Sequence, residues 1–162
     1  MVTWRETSAE SDAAVAMLTE YFANRAQTFP GGPSGYQTKF PVTSDFEPPR
    51  GVFLIVEGDN LEGEPADVGC GGIRSIAPGE DGSVRLEVKH LWLEPHTRGL
   101  GYGRLLIQEL ERRAVGFGAD ELVLDTNDSL EAAAGLYRSS GFESVPAYND
   151  NPNATTWYRK RL

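Results

Sequence analysis

Leu91-Trp92-Leu93-Glu94-Pro95-His96-Thr97-Arg98-Gly99-Leu100-Gly101-Tyr102-Gly103-Arg104 joins an apolar strand to a helix through a turn holding three glycines. Upstream, Ser83–Leu93 reads as a strand. Downstream, from about Gly99 to Phe117, Leu106, Leu110, Ala114 and Phe117 fall at helical spacing, with Leu105 alongside, and Gly118 is a natural stop. A helix start of this kind offers free backbone N–H groups and the positive end of the helix dipole, which together hold an anion. Gly101 and Gly103 would let a phosphate approach the backbone with no Cβ in the way. Arg98, Arg104 and His96 make the patch basic, although the whole chain carries 15 Lys+Arg against 24 Asp+Glu, a net charge of −9. Two common phosphate loops are excluded. A Walker loop needs Gly-Lys-Ser/Thr, and Gly103 is followed by Arg104 and Leu105. A dinucleotide fingerprint starting at Gly99 needs glycine at 104, where Arg104 stands. The plain alternative is that the glycines only ease strand–helix packing.

Outward from this turn the chain alternates between two periods. Val2–Arg5 reads as a short strand. Ser8 to about Arg25 reads as a helix with Ala13, Ala14, Met17, Leu18, Tyr21 and Phe22 on one face and Ser11 as its cap. Thr28–Gly51 holds five of the ten prolines and four aromatics, Phe29, Tyr36, Phe40 and Phe46, and is expected to be a long ordered loop. Val52–Val56 and Asp67–Ile76 read as buried strands, and Gly71-Gly72 suggests a bulge or a close backbone approach. Glu121–Thr126 is a strand, Leu130–Ser140 a helix ended by Gly141, and Phe142–Tyr148 and Thr155–Leu162 closing strands joined by a run of turn formers. The order βα, long loop, βββ, α, β, α, ββ predicts an α+β fold: a mixed, mostly antiparallel central sheet flanked by helices.

Composition bounds what this fold does. At 162 residues and 40% hydrophobic content, residues 1–162 are expected to form a single domain with its own core. One cysteine, Cys70, and two histidines leave no disulfide and no Cys/His zinc cluster, so no metal is expected. No apolar run approaches the ~20 residues of a membrane span. The first residues show no signal peptide, so a cytoplasmic location is expected. The acidic balance argues against nucleic acid and favours a cationic ligand.

Two segments carry a resemblance. Arg98-Gly99-Leu100-Gly101-Tyr102-Gly103 resembles the R/Q-x-x-G-x-G/A signature of the GNAT superfamily of N-acetyltransferases. Ala133-Ala134-Gly135-Leu136-Tyr137-Arg138-Ser139-Ser140-Gly141-Phe142 resembles its A-x-x-L-Y-x-x-x-G-F motif, in the expected order with one strand between. The resemblance implies acetyl-CoA as co-substrate and a coenzyme site at the strand–glycine loop–helix junction. Arg98, Gly99, Leu100, Gly101, Tyr102, Gly103 and Arg104 would cradle the pyrophosphate, and Leu91 and Leu93 would pair with the pantetheine amides and the acetyl oxygen. One departure stands at Leu130, where many members carry asparagine near the pantetheine arm. Asn127, three residues earlier, is the expected substitute.

The implied reaction moves the acetyl group of acetyl-CoA to a primary amine by direct attack in a ternary complex. It needs a base for the amine, donors for the oxyanion and an acid for the leaving thiolate. By resemblance Tyr137 is the acid; the alternative is a buried tyrosine anchoring its helix. Glu87, on the strand eleven residues before Arg98, is the base that the resemblance implies, since family members that use a strand glutamate carry it at this distance. The alternatives are a surface glutamate paired with Lys89 or Arg74, with a water chain carrying the proton. His90 should point away from Glu87 by strand alternation. Cys70, in an apolar strand, reads as a small hydrophobe. The resemblance implies an acceptor pocket lined by Phe29–Phe46 and by Tyr148–Thr155, with Phe29, Tyr36, Tyr148, Asn149 and Asp150 as lining residues. The expected acceptor is a small, cationic amine, and a homodimer is compatible with the resemblance. The runner-up is a non-catalytic acyl-CoA-binding or sensing module that keeps the loop without turnover.

Overall fold

The computed structural model describes residues 1–162. Its elements follow the predicted order: β1 (Thr3–Glu6), α1 (Asp12–Thr28), β2 (Gly51–Asp59), β3 (Pro65–Ile76), β4 (Arg85–Leu93), α2 (Tyr102–Gly116), β5 (Glu121–Thr126), α3 (Glu131–Ser139), β6 (Glu143–Val145) and β7 (Thr156–Arg161). The strands form one seven-stranded sheet in the order β1-β2-β3-β4-β5-β7-β6. Every neighbouring pair is antiparallel except β4 and β5, the strands joined by the α2 crossover. No helix is long and apolar enough to cross a membrane.

Alternation along β2 shows why its sequence is a continuous apolar run. Val52, Leu54 and Val56 pack into one core with Leu106, Ile107 and Leu110 of α2 and Tyr137 of α3. Phe53 and Ile55 pack into a second core with Ala14, Leu18 and Phe22 of α1. Both faces of the sheet are therefore covered, and a strand between two layers has no polar face. Ser11 caps α1, its Oγ accepting from the Ala14 N–H at 3.2 Å, so the helix starts at Asp12 rather than Ser8. The proline-rich loop carries two short 3-10 turns, Pro33–Gly35 and Thr43–Phe46, and is pinned by Phe46, which is fully buried.

Gly72 is where backbones crowd. A Cβ there would sit 2.7 Å from the Phe46 ring. Beside it the β3–β4 register shifts: Cys70 faces Trp92 but Gly72 faces Lys89, which leaves one extra residue on β4. The bulge centres on His90, the one non-glycine residue at positive φ (57°). This corrects the expected orientation of His90. The bulge breaks alternation, so His90 lies against Tyr21, Phe22 and Phe46, on the same side of the sheet as Glu87. The closing strand β6 is also shorter than expected. It ends at Val145, and the chain from there to β7 becomes a structured loop.

Candidate active site

β4 and β5 separate in mid-sheet. They pair only at Arg85–Glu121, Leu86–Leu122 and Glu87–Val123. Beyond that point the bulge turns β4 away, and the unpaired lengths, Val88–Leu91 on one side and Leu124–Thr126 on the other, line a cavity of about 600 Å3. Unpaired strand edges keep backbone N–H and C=O groups available, which a buried segment does not otherwise tolerate.

The glycine turn lies next to this split. Gly101 takes a left-handed conformation (φ 84°) as the residue preceding α2, and no side chain caps the helix. The first intrahelical bond runs from the Leu105 N–H to the Gly101 carbonyl at 3.2 Å, so the Tyr102, Gly103 and Arg104 amides have no acceptor in the chain. Gly103 plays a different part from the one expected. Its absent Cβ would sit 3.0 Å from Leu136 and 3.6 Å from Leu93, so it lets α2 approach α3 and β4 rather than opening a surface. Tyr102 packs against the α2-side core, and Leu91 and Leu93 pack there too, while Leu100 is exposed. Arg98 donates to the Leu93 carbonyl at 3.1 Å and stacks over Trp92 at 5.0 Å. Arg104 donates to Ser139 Oγ at 3.1 Å, tying the start of α2 to the end of α3, and His96 Nε2 meets the Asp59 carbonyl at 2.9 Å.

Tyr137 lines the cavity from α3. Its ring packs on Phe142 and Tyr158, while its hydroxyl makes no hydrogen bond within the chain. Burial pushes the phenol up to about 12, with the Arg25 charge opposing, so the proton stays on at neutral pH. Leu130, Ala133 and Leu136 supply an apolar wall beside it.

Glu87 is 1% exposed and stands off the cavity that a base would border. Arg74 Nη2 donates to its Oε1 at 2.9 Å, and Tyr148 Oη donates to its Oε2 at 2.6 Å. Lys89 lies 3.7 Å away and bonds Asp125 at 3.2 Å. Burial alone would raise Asp125, but Lys89, Asn149 and Asn151 outweigh it and hold the carboxyl low. Asn149 donates to Asp125 at 2.7 Å and accepts from the Trp157 indole at 2.8 Å. These bonds seat the β6–β7 loop on the sheet. Tyr148 is thereby spent on Glu87, its phenol raised by burial and by that carboxylate, and it does not border the cavity.

Of the other expected residues, Tyr36, Asn149 and Asp150 line the cavity; Phe29 packs on Tyr36 outside it. Asn127 is buried in the turn before α3, donating to the Asn153 carbonyl at 3.3 Å and accepting from the Ser129 N–H at 3.0 Å, and does not reach the cavity. Phe40 lines the cavity from the expected loop, and residues not foreseen complete the walls: Tyr21, Phe22 and Arg25 from α1, and Asp125. Asp125 left a signal in the sequence, a lone carboxylate between Leu124 and Thr126 in a buried strand. Arg25 left none, because a basic residue in the last turn of a helix is ordinary. His90 is held neutral by burial and by the Lys89 and Arg74 charges, which push its ring down to about 3. Asn153 closes the far side: its Nδ2 donates to the Gln37 carbonyl at 2.8 Å and its Oδ1 accepts from the Gln37 N–H at 3.1 Å.

The chain is 30% identical over 115 residues to an uncharacterized N-acetyltransferase of Schizosaccharomyces pombe, a match covering 71% of this chain and 66%, just under two thirds, of that protein's length. Its fold matches an acetyltransferase from Streptococcus agalactiae with a TM-score of 0.74 at 19% identity, covering 99% of this chain and 98% of that one. It also matches a GNAT family acetyltransferase from Elizabethkingia anophelis, solved with acetyl-CoA bound, with a TM-score of 0.61 at 14% identity over 99% and 98% of the two chains. The profile of the acetyltransferase (GNAT) family matches residues 15–142, from the first turn of α1 through Phe142, and with the split sheet and glycine turn in place the chain belongs to that family.

Proposed function

We propose that this chain is an acetyl-CoA-dependent N-acetyltransferase that transfers the acetyl group to a primary amine by direct attack in a ternary complex. The observation that carries the reading is the parting of β4 and β5 into one cavity wall, with Tyr137 on that cavity and the unpartnered amides of α2 behind Leu136. Bound there, acetyl-CoA supplies a thioester whose acyl carbon accepts the amine. The Tyr102, Gly103 and Arg104 amides and the α2 dipole suit its pyrophosphate, with Arg98 adding charge, and the free edge of β4 at Leu91 suits its amide-bearing arm. The coenzyme-binding roles of Leu91, Leu93 and Arg98 to Arg104 and the acid role of Tyr137 stand on this basis, while Asn127, Phe29, Tyr148 and Glu87 act from behind the cavity wall.

Tyr137 keeps its proton at neutral pH, borders the cavity and has no hydrogen-bond partner for its hydroxyl in the chain, which suits a donor to the leaving sulfur. Direct attack is supported by the sole thiol: Cys70 is fully buried, donates to the His90 carbonyl at 3.3 Å, and is pushed up by burial, so it offers no acyl-carrying nucleophile. The amine proton leaves through water at the Asp150 side of the mouth. Glu87 serves as the anchor of Tyr148 and Arg74 rather than as the base.

Thermal unfolding with and without acetyl-CoA tests the reading. Ligand at 100 times its Kd adds about 2.7 kcal/mol of stability. The shift should appear in the wild type and shrink in Arg98→Glu. No shift in the wild type overturns the proposal.

A further inference from the structure

Four cations border the cavity; two are held in ion pairs and a third stands in solvent. Arg74 is paired with Glu87 at 2.9 Å and Asp45 at 3.8 Å, Lys89 is paired with Asp125 at 3.2 Å, and Lys39 stands exposed at the rim. Arg25 differs from them. It projects from the last turn of α1, is only partly exposed, forms no ion pair, and has the Tyr36 phenol as its one side-chain hydrogen-bond neighbour. Its Nε is buried without a partner, and its guanidinium rests over the Tyr36 ring at 5.8 Å. Tyr21, Tyr36 and Tyr137 border the same cavity, and the Arg25 charge opposes the burial-driven rise of their phenols. A guanidinium half out of water with donors unspent is a carboxylate receptor, since its planar fork matches two oxygens at once. Asp150, exposed at the same cavity and free of ion pairs, supplies the opposite sign. Tyr21, Phe22 and Phe40 give the same cavity an apolar, aromatic wall.

We propose that Arg25 is the carboxylate subsite of the acceptor pocket, and that the acceptor is a zwitterionic amine with an apolar body, in the class of the large apolar α-amino acids. The proposal rests on the acetyltransferase reading. It replaces a purely cationic acceptor with one bearing both signs: Arg25 holds the carboxylate and Asp150 meets the ammonium before it loses its proton.

The test measures release of coenzyme A thiol with L-phenylalanine, L-leucine, L-methionine and L-tryptophan, and with the amide of each. The amides carry the more readily deprotonated amine, so chemistry alone favours them. The wild type should prefer the acids by about tenfold or more in kcat/KM, the value of one charge-assisted bidentate contact. Arg25→Gln should lose that preference through a higher KM for the acids, with the amides moving less than about threefold. Arg25→Lys, which keeps the charge and loses the fork, should retain part of it, and it serves as the readout should the glutamine variant not fold. Amides used as well as acids, equal losses on both series, or no thiol release from any acid while acetyl-CoA still raises the unfolding temperature would each overturn the subsite and leave the acetyltransferase reading standing. Loss of the acetyl-CoA shift itself in the wild type would overturn that reading, and the subsite with it.

Discussion

The two ends of the site are built in opposite ways. The donor end comes from one unbroken stretch, Leu91 to Arg104, and its working parts are backbone: a left-handed Gly101, unspent amides at the start of α2 and the free edge of β4. The acceptor end is assembled from side chains of α1, the proline-rich loop, β4, β5 and the β6–β7 loop, with a Gln37–Asn153 pair bridging 116 residues of sequence. A backbone site tolerates most side-chain change as long as its glycines and helix start persist. A side-chain site changes character with each substitution. The donor end is thus the part that a family shares, and the acceptor end the part that distinguishes its members.

Tyr137 stands where the two ends meet, so its substitution is the severest test of their separation. Tyr137→Phe keeps the ring packing on Phe142 and Tyr158 and removes only the hydroxyl. A general acid contributes about 100-fold or more, so kcat should fall at least that far. The acetyl-CoA stabilisation should survive, because the donor end holds its ligand through backbone. Steady-state thiol release beside thermal unfolding reads both. An undiminished kcat would show that the leaving sulfur finds its proton elsewhere.

Glu87→Gln attacks the acceptor end from behind. It strips Arg74 and Lys89 of a shared buried anion and weakens the bond that seats Tyr148. Removing one partner of a buried ion pair costs about 3–5 kcal/mol. Asp45 and Asp125 remain to compensate here, so a loss of about 2 kcal/mol in urea unfolding is expected. The acceptor KM should rise while the shift produced by acetyl-CoA stays. If Glu87 were the base instead, the substitution would erase the acid-side fall of kcat/KM, and the pH profile separates the two roles.

The same contrast explains what could be read from the sequence. Strand and helix order, the glycine turn and Tyr137 were legible because each rests on local pattern: periodicity, punctuating glycines and a motif within a few residues. Asn127 and Tyr148 were polar residues near the correct place, but tertiary contacts decided their partners. Asn127 is spent on Ser129 and Asn153, and Tyr148 on Glu87. His90 was misoriented because the bulge opposite Gly71 inserts a residue that no alternation rule anticipates. Arg25 was invisible because its meaning lies in a buried Nε without a partner, a property of the assembled cavity.

His90 gives the finest probe of the acceptor end, through the pH dependence of stability. Its ring titrates at about 3 in the fold, against about 6.5 unfolded, because burial and two nearby cations disfavour the charged form. Between those values the unfolded chain binds the extra proton, so stability must fall as pH drops below about 6.5 and go on falling toward 3. From pH 7 to 5 a fully buried ring would lose about 2 kcal/mol, and the partial exposure of His90 reduces this to about 1 kcal/mol. His90→Asn keeps a side chain that tolerates positive φ and removes the titration. Urea unfolding at the two pH values should therefore show the loss in the wild type and about 1 kcal/mol less of it in the variant. An equal loss in both would mean that carboxylates elsewhere carry the acid sensitivity and that the bulge does not hold His90 neutral. A smaller loss in the variant would tie the acid response to the bulge residue of β4, which lines the cavity at the acceptor end.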